Sequence, residues 1–551
     1  MTHSIPSKET LTIEFKSDLK RLPDRDLMET VVGMANTEGG SLYLGVEDNG
    51  KVTGLHPDHR NVTGLAAFIA NRTSPPVGVR VELMEQDDLM VARIDIPKAL
   101  RLTSSTDGSL RRRCLKQDNT PETVPFLPHE FATRQSDLGL LDYSAMPVEG
   151  AELSDFDPLE RARLRQLIER YGGDATLLDL DDGALDGALG FTARSGTQKK
   201  PTVLGLLLLG RQAAMRTHLP THEVAFQVLE GEDVRLNEFW RAPLLKAFEL
   251  IETHFQSRNI EQEFQAGLFR VPVPKVDRRA FREAVCNALT HRDYTRRGAV
   301  HVRWDSESLT ISNPGGFVEG VTLENLLTTE PRPRNPALAD AFKRIGLVER
   351  TGRGVDLIYR GMLRFGRELP DYSRSDFYTV VVRMSTSDAD TAFLAMVMEE
   401  ENSRNKPLPI DSLIALSALR LQRRLNRKEL AHFIQKNEDG AGRVLEALVE
   451  RGLVQPHGAG RARSYTMSPR TYRTLGQPAE YTRQAGFDIL QQEQMVANYV
   501  RQHGEIRRKD VVDLCQLSPD QAYRLLKRLV GKGLLDAQGT RKGAFYTLGS
   551  K

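Results

Sequence analysis

The sequence predicts a multidomain chain built of α/β and α+β units. Three observations predict it. Strands alternate with a helix in the first 137 residues, a polar helix runs into a hairpin and two glycine elements between residues 275 and 385, and one helix-and-hairpin plan occurs twice in the last third. At 551 residues with a 40% apolar share, the chain has material for roughly three to five separate cores. Its net charge of +2, from 76 basic against 74 acidic residues, means that any affinity for nucleic acid must come from local patches. The three cysteines, Cys114, Cys286 and Cys515, are too few and too scattered for a disulfide framework or a Cys-rich zinc site, and they fit a reducing cytoplasm. Met1 to Glu9 lacks the apolar core of a signal peptide, and the longest apolar run, Val203 to Gly210, is far below the ~20 residues of a membrane span.

In the first unit, Leu11 to Lys16 alternates as a strand, Asp24 to Asn36 reads as a helix with an acidic first turn, and Ser41 to Val46 is a second strand followed by the turn Asp48-Asn-Gly50. Glu14 and Lys16 share a strand face, with Glu9 upstream and Glu47 and Asp48 at the next strand's end. Carboxylates on neighbouring strand ends suit a divalent metal, and a lysine beside them suits a phosphate; salt-bridged surface charges fit the same residues. The combination Glu9-x4-Glu-Phe-Lys16, Ala35-Asn-Thr-Glu-Gly-Gly40 and Gly45-Val-Glu-Asp-Asn-Gly50 resembles the Schlafen/AlbA-type domain. That resemblance implies nucleic-acid binding. In Schlafens it also implies an endoribonuclease with three acids, which here would be Glu9, Glu14 and Asp48, or Glu47 in place of Asp48, holding Mg2+ or Mn2+. Lys16, Lys20, Arg111, Arg112, Arg113 and Lys116 could line a backbone-binding groove, although the arginine run equally fits a single charged edge strand.

Residues 138–274 read as an α/β connector. Asp137 to Asp157 is acidic and without Lys or Arg, Asp157 and Pro158 open a helix over Leu159 to Tyr171, Val203 to Leu209 is a buried run, Glu223 to Leu229 is a strand and Pro243 to Phe255 is a helix. His218, His222 and His254 read as satisfied structural histidines.

The stretch Phe281 to Tyr294, as a helix, puts Glu283, Asn287 and His291 at steps of four on one face. A carboxylate one turn before a carboxamide suits a magnesium-nucleotide site, because the amide oxygen ligates a hard cation while the carboxylate orients water against a phosphate. Val300 to Trp304 and Ser308 to Ser312 form a hairpin leading into Asn313-Pro-Gly-Gly-Phe317, and Thr351-Gly-Arg-Gly354 opens another helix with N–H groups free for phosphate. In this order the elements resemble the GHKL ATPase fold, and more closely its RecG-like C-terminal variant, through Asn287-Ala-Leu-Thr-His-Arg-Asp-Tyr294 and Arg334-Asn-Pro336. The resemblance implies Glu283 as the water-activating base, Asn287 as magnesium ligand and Asn313 as adenine contact, with His291, Gly315, Gly316, Arg334, Gly352, Arg353 and Gly354 around ATP. Asn313 stands where the usual adenine-reading aspartate would be, with Pro314 after it. No G-x4-G-K-[ST] loop occurs, so nothing indicates a helicase motor.

In the last third, Val444 to Val454 parallels Leu525 to Leu535; each follows a shorter helix and precedes a basic hairpin. The plan resembles the winged helix, whose second helix enters the major groove while the wing meets phosphate. Residues 501–551 hold eleven Lys/Arg against five Asp/Glu. Ser518-Pro519 opens the candidate reading helix with Gln521, Tyr523, Arg524, Lys527 and Arg528, and Arg461, Arg463, Arg541 and Lys542 occupy the wings.

The expected organisation is a Schlafen/AlbA-like head (1–137), a connector (138–274), a GHKL-type ATP module (275–385) and two winged helices (386–475 and 485–551). The expected function is a cytoplasmic, homodimeric or higher-order regulator that binds ATP and Mg2+ and uses the nucleotide to control binding to DNA, or to RNA. The alternative is an ATP-gated metal-dependent nuclease, a defence effector in the Schlafen manner.

Overall fold

The computed structural model describes residues 5–116, 118, 120–128, 130–266, 269–348, 353–458, 460, 463–475, 489–515, 517, 519–539 and 544–549. The chain is a mixed α/β multidomain protein.

The head carries a four-stranded sheet in the order Ile13–Lys16, Gly40–Leu44, Leu89–Ile96, Arg80–Gln86; the first pair is parallel and the other two are antiparallel. The helix Asp24–Ala35 crosses between the parallel strands and opens on Asp24 and Asp26, which face the positive end of its dipole. Its C-terminal motif is architectural. Asn36 donates to the carbonyls of Thr103 (2.7 Å) and Arg111 (2.9 Å) and accepts from Thr103 N–H (2.9 Å), so one buried amide ties three segments. Gly40, at φ +127°, lies where a Cβ would sit 2.0 Å from the Thr12 carbonyl oxygen, which requires glycine.

The central body is a five-stranded sheet in the order Asp233–Trp240, Val224–Glu230, Val300–Trp304, Ser308–Pro314, Thr379–Ser385, with only the Val224–Glu230/Val300–Trp304 pair parallel. Strands on both sides of residue 274 therefore share one sheet. One apolar core also runs from Ala151 to Met384, so the connector and the nucleotide module expected on either side of 274 are parts of a single fold. The reason lies in the apolar run: Val203–Leu209 is a helix whose seven residues are all buried, and a helix apolar all round needs cover on every side. The helices Leu244–Gln256 and Arg278–His291 are locked together by the stacked rings of Phe255 and Phe281, with centroids 3.7 Å apart.

Two C-terminal units repeat one order of elements. The first runs helix Ile410–Gln422, strand Leu425–Asn426, helices Arg427–Phe433 and Glu438–Glu450, then strands Val454–His457 and Ser464–Met467. The second runs helix Ile489–His503, strand Ile506–Arg507, helices Arg508–Cys515 and Pro519–Gly531, then strands Leu535–Gln538 and Phe545–Leu548. Each closes a three-stranded sheet with its last strand in the middle. The first unit's core includes Tyr359 and Leu363 of the central body, whereas the second's is drawn from its own helices and strands. Among the described residues no helix is long and apolar enough to cross a membrane.

Candidate functional site

A cavity of about 420 Å³ opens beside the sheet's Ser308–Pro314 strand, and the polar face of the Arg278–His291 helix forms one wall. Asp277 caps that helix, accepting from the N–H groups of Arg279 and Ala280 at 2.9 Å each, which fixes the start of the helix. Glu283, Asn287 and His291 line the cavity together with Asn313, Gly316, Arg353 and Gly354. Residues from three separate stretches thus meet in one place. Glu283 and Asn313 are buried. The Asn313 amide donates to the Pro314 carbonyl at 3.2 Å, which orients its oxygen away from that bond. Burial, reinforced by the Arg334 charge, pushes the His291 imidazole down to about 4, so it is neutral near pH 7.

Gly354 opens the helix Gly354–Leu363 against Glu283. A Cβ on it would lie 2.0 Å from Glu283 Oε1, so the carboxylate occupies the space that any other residue's side chain would need. Farther along the same helix, a Cβ on Gly361 would fall 2.6 Å from Ala280 Cβ and 2.9 Å from Asp277 Cβ. The two glycines bring the helices to contact distance and hold the carboxylate at the N-terminus of its neighbour.

Gly315 and Arg334 lie outside the lining. Gly315 N–H donates to the Tyr378 carbonyl at 2.7 Å, and the buried Arg334 guanidinium donates to the carbonyls of His291 (3.0 Å) and Gly316 (2.9 Å) and to the Asp137 carboxylate. Arg334 braces the back of the wall. Gly352 falls outside the described residues. Sequence reasoning missed the cations Arg332 and Lys343, the acid Asp356, whose pKa burial raises, and the wall residues Leu327, Val355 and Tyr372. Lys343 sits in the last turn of the amphipathic helix Pro336–Ile345; the helix is legible in sequence, but its approach to the cavity is a matter of tertiary packing.

The head's acids are arranged differently. Buried Glu14 is held by Lys16 at 2.5 Å and by Arg113, whose side chain has no exposure and whose guanidinium also donates to the carbonyls of Thr10 (2.7 Å) and Ile13 (3.3 Å). Glu9 accepts from Phe15 N–H at 2.9 Å; burial, together with the nearby Glu14 and Asp48 charges, raises its pKa despite that bond. Glu47 accepts from the hydroxyls of Ser17 (2.6 Å) and Thr53 (2.7 Å). Glu9 thus feels the charges of Glu14 and Asp48, yet among the described residues no group of three His, Cys, Asp or Glu side chains is spaced to hold a metal ion. A second buried polar pair, absent from the sequence reading, joins Asp18 to His59 at 3.0 Å, with Asp18 also accepting from the N–H groups of Leu22 and His56.

Several of the expected nucleic-acid contacts are engaged inside the protein. Arg111 pairs with Glu29 at 2.8 Å and Arg112 with Glu130 at 2.6 Å, while Arg463 pairs with Glu446 at 3.1 Å and lies over the Tyr465 ring. Arg524, Lys527 and Arg528 are exposed on the Pro519–Gly531 helix beside the half-exposed Tyr523. Arg461, Arg541 and Lys542 fall outside the described residues.

Comparison with family models then adds to this geometry. Residues 9–122 match the family described as Schlafen, AlbA_2, and residues 298–383 match that of the ATP-dependent DNA helicase recG C-terminal region. The chain thus joins a head similar to Schlafen/AlbA_2 domains to a module similar to the RecG C-terminal, ATPase-like region. The RecG-like match begins after the Arg278–His291 helix, so Glu283, Asn287 and His291 join the cavity through packing outside the matched stretch. Residues 132–225 match a domain of unknown function, and residues 372–549 match the family described as DNA glycosylase AlkZ-like, a span covering both C-terminal units. The crystal structure of the DIP2311 protein from Corynebacterium diphtheriae aligns over 98% of this chain and 95% of that one, at 22% identity and a TM-score of 0.51, which is a likeness of fold. The comparison with curated proteins gives no match.

Proposed function

We propose that this chain is an ATP-binding, DNA-binding regulator in which nucleotide occupancy of the cavity controls nucleic-acid binding by the C-terminal units, read as winged helices, and by the AlbA-like head. The observation that carries the reading is the convergence of Glu283, Asn287, Asn313, Gly316, Arg353 and Gly354 on one cavity. The donor set suits a nucleotide. Asn287 offers a carboxamide oxygen for Mg2+, Arg332, Lys343 and Arg353 offer charge for phosphates, and the first N–H groups of the Gly354–Leu363 helix have no partners within that helix. Mg2+ would neutralise phosphate charge when bound. Glu283, held against Gly354, would orient water at the terminal phosphate, and neutral His291 would sit by the triphosphate without adding charge.

Glu14 favours this reading over a nuclease head, because two cations already neutralise it, one of them fully buried. The exposed basic face of Pro519–Gly531 supports duplex DNA as the partner, and a cytoplasmic homodimer is the setting we propose. The test titrates labelled duplex DNA and RNA into the full chain with and without Mg-ATP. A shift in affinity of about tenfold is expected; identical affinities in both conditions overturn the proposal.

A further inference from the structure

The rim of the cavity touches two other parts of the chain, the head and the first C-terminal unit. It is the segment from Val318 to Pro333, which contributes Val318, Val321, Leu327 and Arg332 to the lining. Near its start, Glu319 faces the head and its flanking helix: its N–H donates to the Asp137 carbonyl at 3.0 Å, and its carboxylate meets Lys98 at 3.1 Å and Arg134 at 3.4 Å. In its middle, the rim meets Gln435, which lies in the short link between helices Arg427–Phe433 and Glu438–Glu450 of the first C-terminal unit. Gln435 Oε1 accepts from Leu327 N–H at 2.7 Å, and Nε2 donates to the Leu323 carbonyl at 2.7 Å. Both halves of one amide are thus spent on rim main chain.

Two further observations point the same way. Gln435 holds φ at +54°, a left-handed conformation that costs a residue with a Cβ energy and persists where its surroundings impose it. Leu327, Val355 and Tyr372 line the cavity on one side and pack against the core of the first C-terminal unit on the other. The cavity wall is therefore one layer thick where it meets that unit. Whatever moves the rim must either break both Gln435 hydrogen bonds or carry the link, and the helix after it, along.

We infer that Gln435 is a positioning residue that transmits occupancy of the cavity to the first C-terminal unit. The inference rests on the reading of the cavity as a nucleotide site and names how that site is read out. The experiment uses the full chain, wild type, Gln435→Leu and Gln435→Glu, with a non-hydrolysable ATP analogue and magnesium. Calorimetry reports binding; amide exchange by mass spectrometry reports on peptides covering residues 317–333 and 427–450. In wild type the analogue should change exchange in both regions, by about tenfold in the second. Gln435→Leu, which can neither donate nor accept, should bind the analogue and keep the response in the rim while losing it in 427–450. Gln435→Glu keeps the acceptor for Leu327 and loses the donor to Leu323, so it should transmit partially; it also carries the test if the leucine variant does not fold. Wild-type binding with a response confined to the rim overturns the inference, as does full transmission in both variants. Absence of binding by wild type removes the nucleotide reading itself and this inference with it.

Discussion

The central cavity and the acidic cluster of the head both consist of chemically suggestive residues brought close together, and they differ in what those residues are already doing. In the cavity the polar groups line open volume: Asn287 and His291 come from one helix and are joined by Asn313 and Arg353 from other stretches, while Glu283 is kept in place by the absence of a side chain at Gly354. In the head Glu14 is closed in by Lys16 and Arg113, and Glu9 is turned to the Phe15 amide. Proximity is common to both. Their neighbours separate them: Asn287 and His291 line open volume, whereas Glu14 is closed in by two counter-charges.

The largest expected effect tests the head's half of this contrast. Arg113→Leu leaves the Glu14 carboxylate buried with only Lys16, and Glu14→Ala leaves an arginine without exposure unpaired. Each should destabilise the head by about 3–5 kcal/mol, read from urea unfolding. Loss of head activity in Glu14→Ala thus reports unfolding before chemistry. Asp48→Asn, at an exposed position, is the substitution that interrogates chemistry alone, and if it abolishes nucleic-acid cleavage while the fold is intact, the cluster is a working site after all.

Next comes a buried histidine of the central body. Burial pushes His222 down to about 4; its Nε2 lies 2.8 Å from the Ala242 carbonyl, and its Nδ1 is buried with no partner among the described residues. The folded state binds this proton more weakly than the unfolded chain. The contribution is therefore intact above about pH 6.5 and is lost as pH falls toward 4, by about 3 kcal/mol in all. His222→Gln should flatten the dependence of melting temperature on pH between those limits; an unchanged slope would mean another group controls it.

Two glycines of the Gly354–Leu363 helix sharpen the comparison further. At Gly361 an added Cβ meets two other Cβ atoms, which cannot move without their helix, so Gly361→Ala should cost about 1–3 kcal/mol of stability. At Gly354 it meets the far end of a flexible side chain, and alanine raises helix propensity by up to about 1 kcal/mol. Gly354→Ala should therefore remain as stable as wild type but displace the Glu283 carboxylate, lowering ATP turnover, or nucleotide affinity where no turnover occurs, by about tenfold or more. Calorimetry and unfolding on both variants check the pair, and equal stability losses in the two would show that Glu283 is not held by space at Gly354.

Much of this was legible in sequence, for reasons visible in particular residues. The step of four from Glu283 to His291 sets a helix face whatever surrounds it, whereas Gly354, read as opening a helix toward phosphate, packs against the Glu283 side chain. Period-two alternation gave the strands at Ile13–Lys16 and Val300–Trp304. What sequence did not convey was pairing across long separations. The strand Val224–Glu230 joins Val300–Trp304 through some seventy residues of intervening chain, and this merges two expected domains. Arg113 meets Glu14 from a hairpin far along the chain, so a row of three arginines that fitted either a groove or a charged edge strand consists of internal partners on a strand. Arg334 belongs to the same class, a motif arginine whose hydrogen bonds all turn inward.

The same distinction between present and available charge applies to the two C-terminal units, where the expected effects are smallest. In the first, Arg427 and Arg463 both pair with Glu446 at the base of the hairpin, at 3.2 and 3.1 Å, and its second long helix opens with Glu438 and Asp439. In the second, the corresponding helix exposes Lys527 and Arg528. A phosphate-contacting cation contributes about 0.9 to the slope of log affinity against log salt, so Lys527→Ala and Arg528→Ala should each reduce that slope by about one and weaken duplex binding uniformly across sequences. Arg463→Ala should leave the slope unchanged. Titrations of labelled duplex at several salt concentrations separate the cases: a slope lost equally in Arg463→Ala would mean that Glu446 releases its arginines on binding, and that both units reach the DNA.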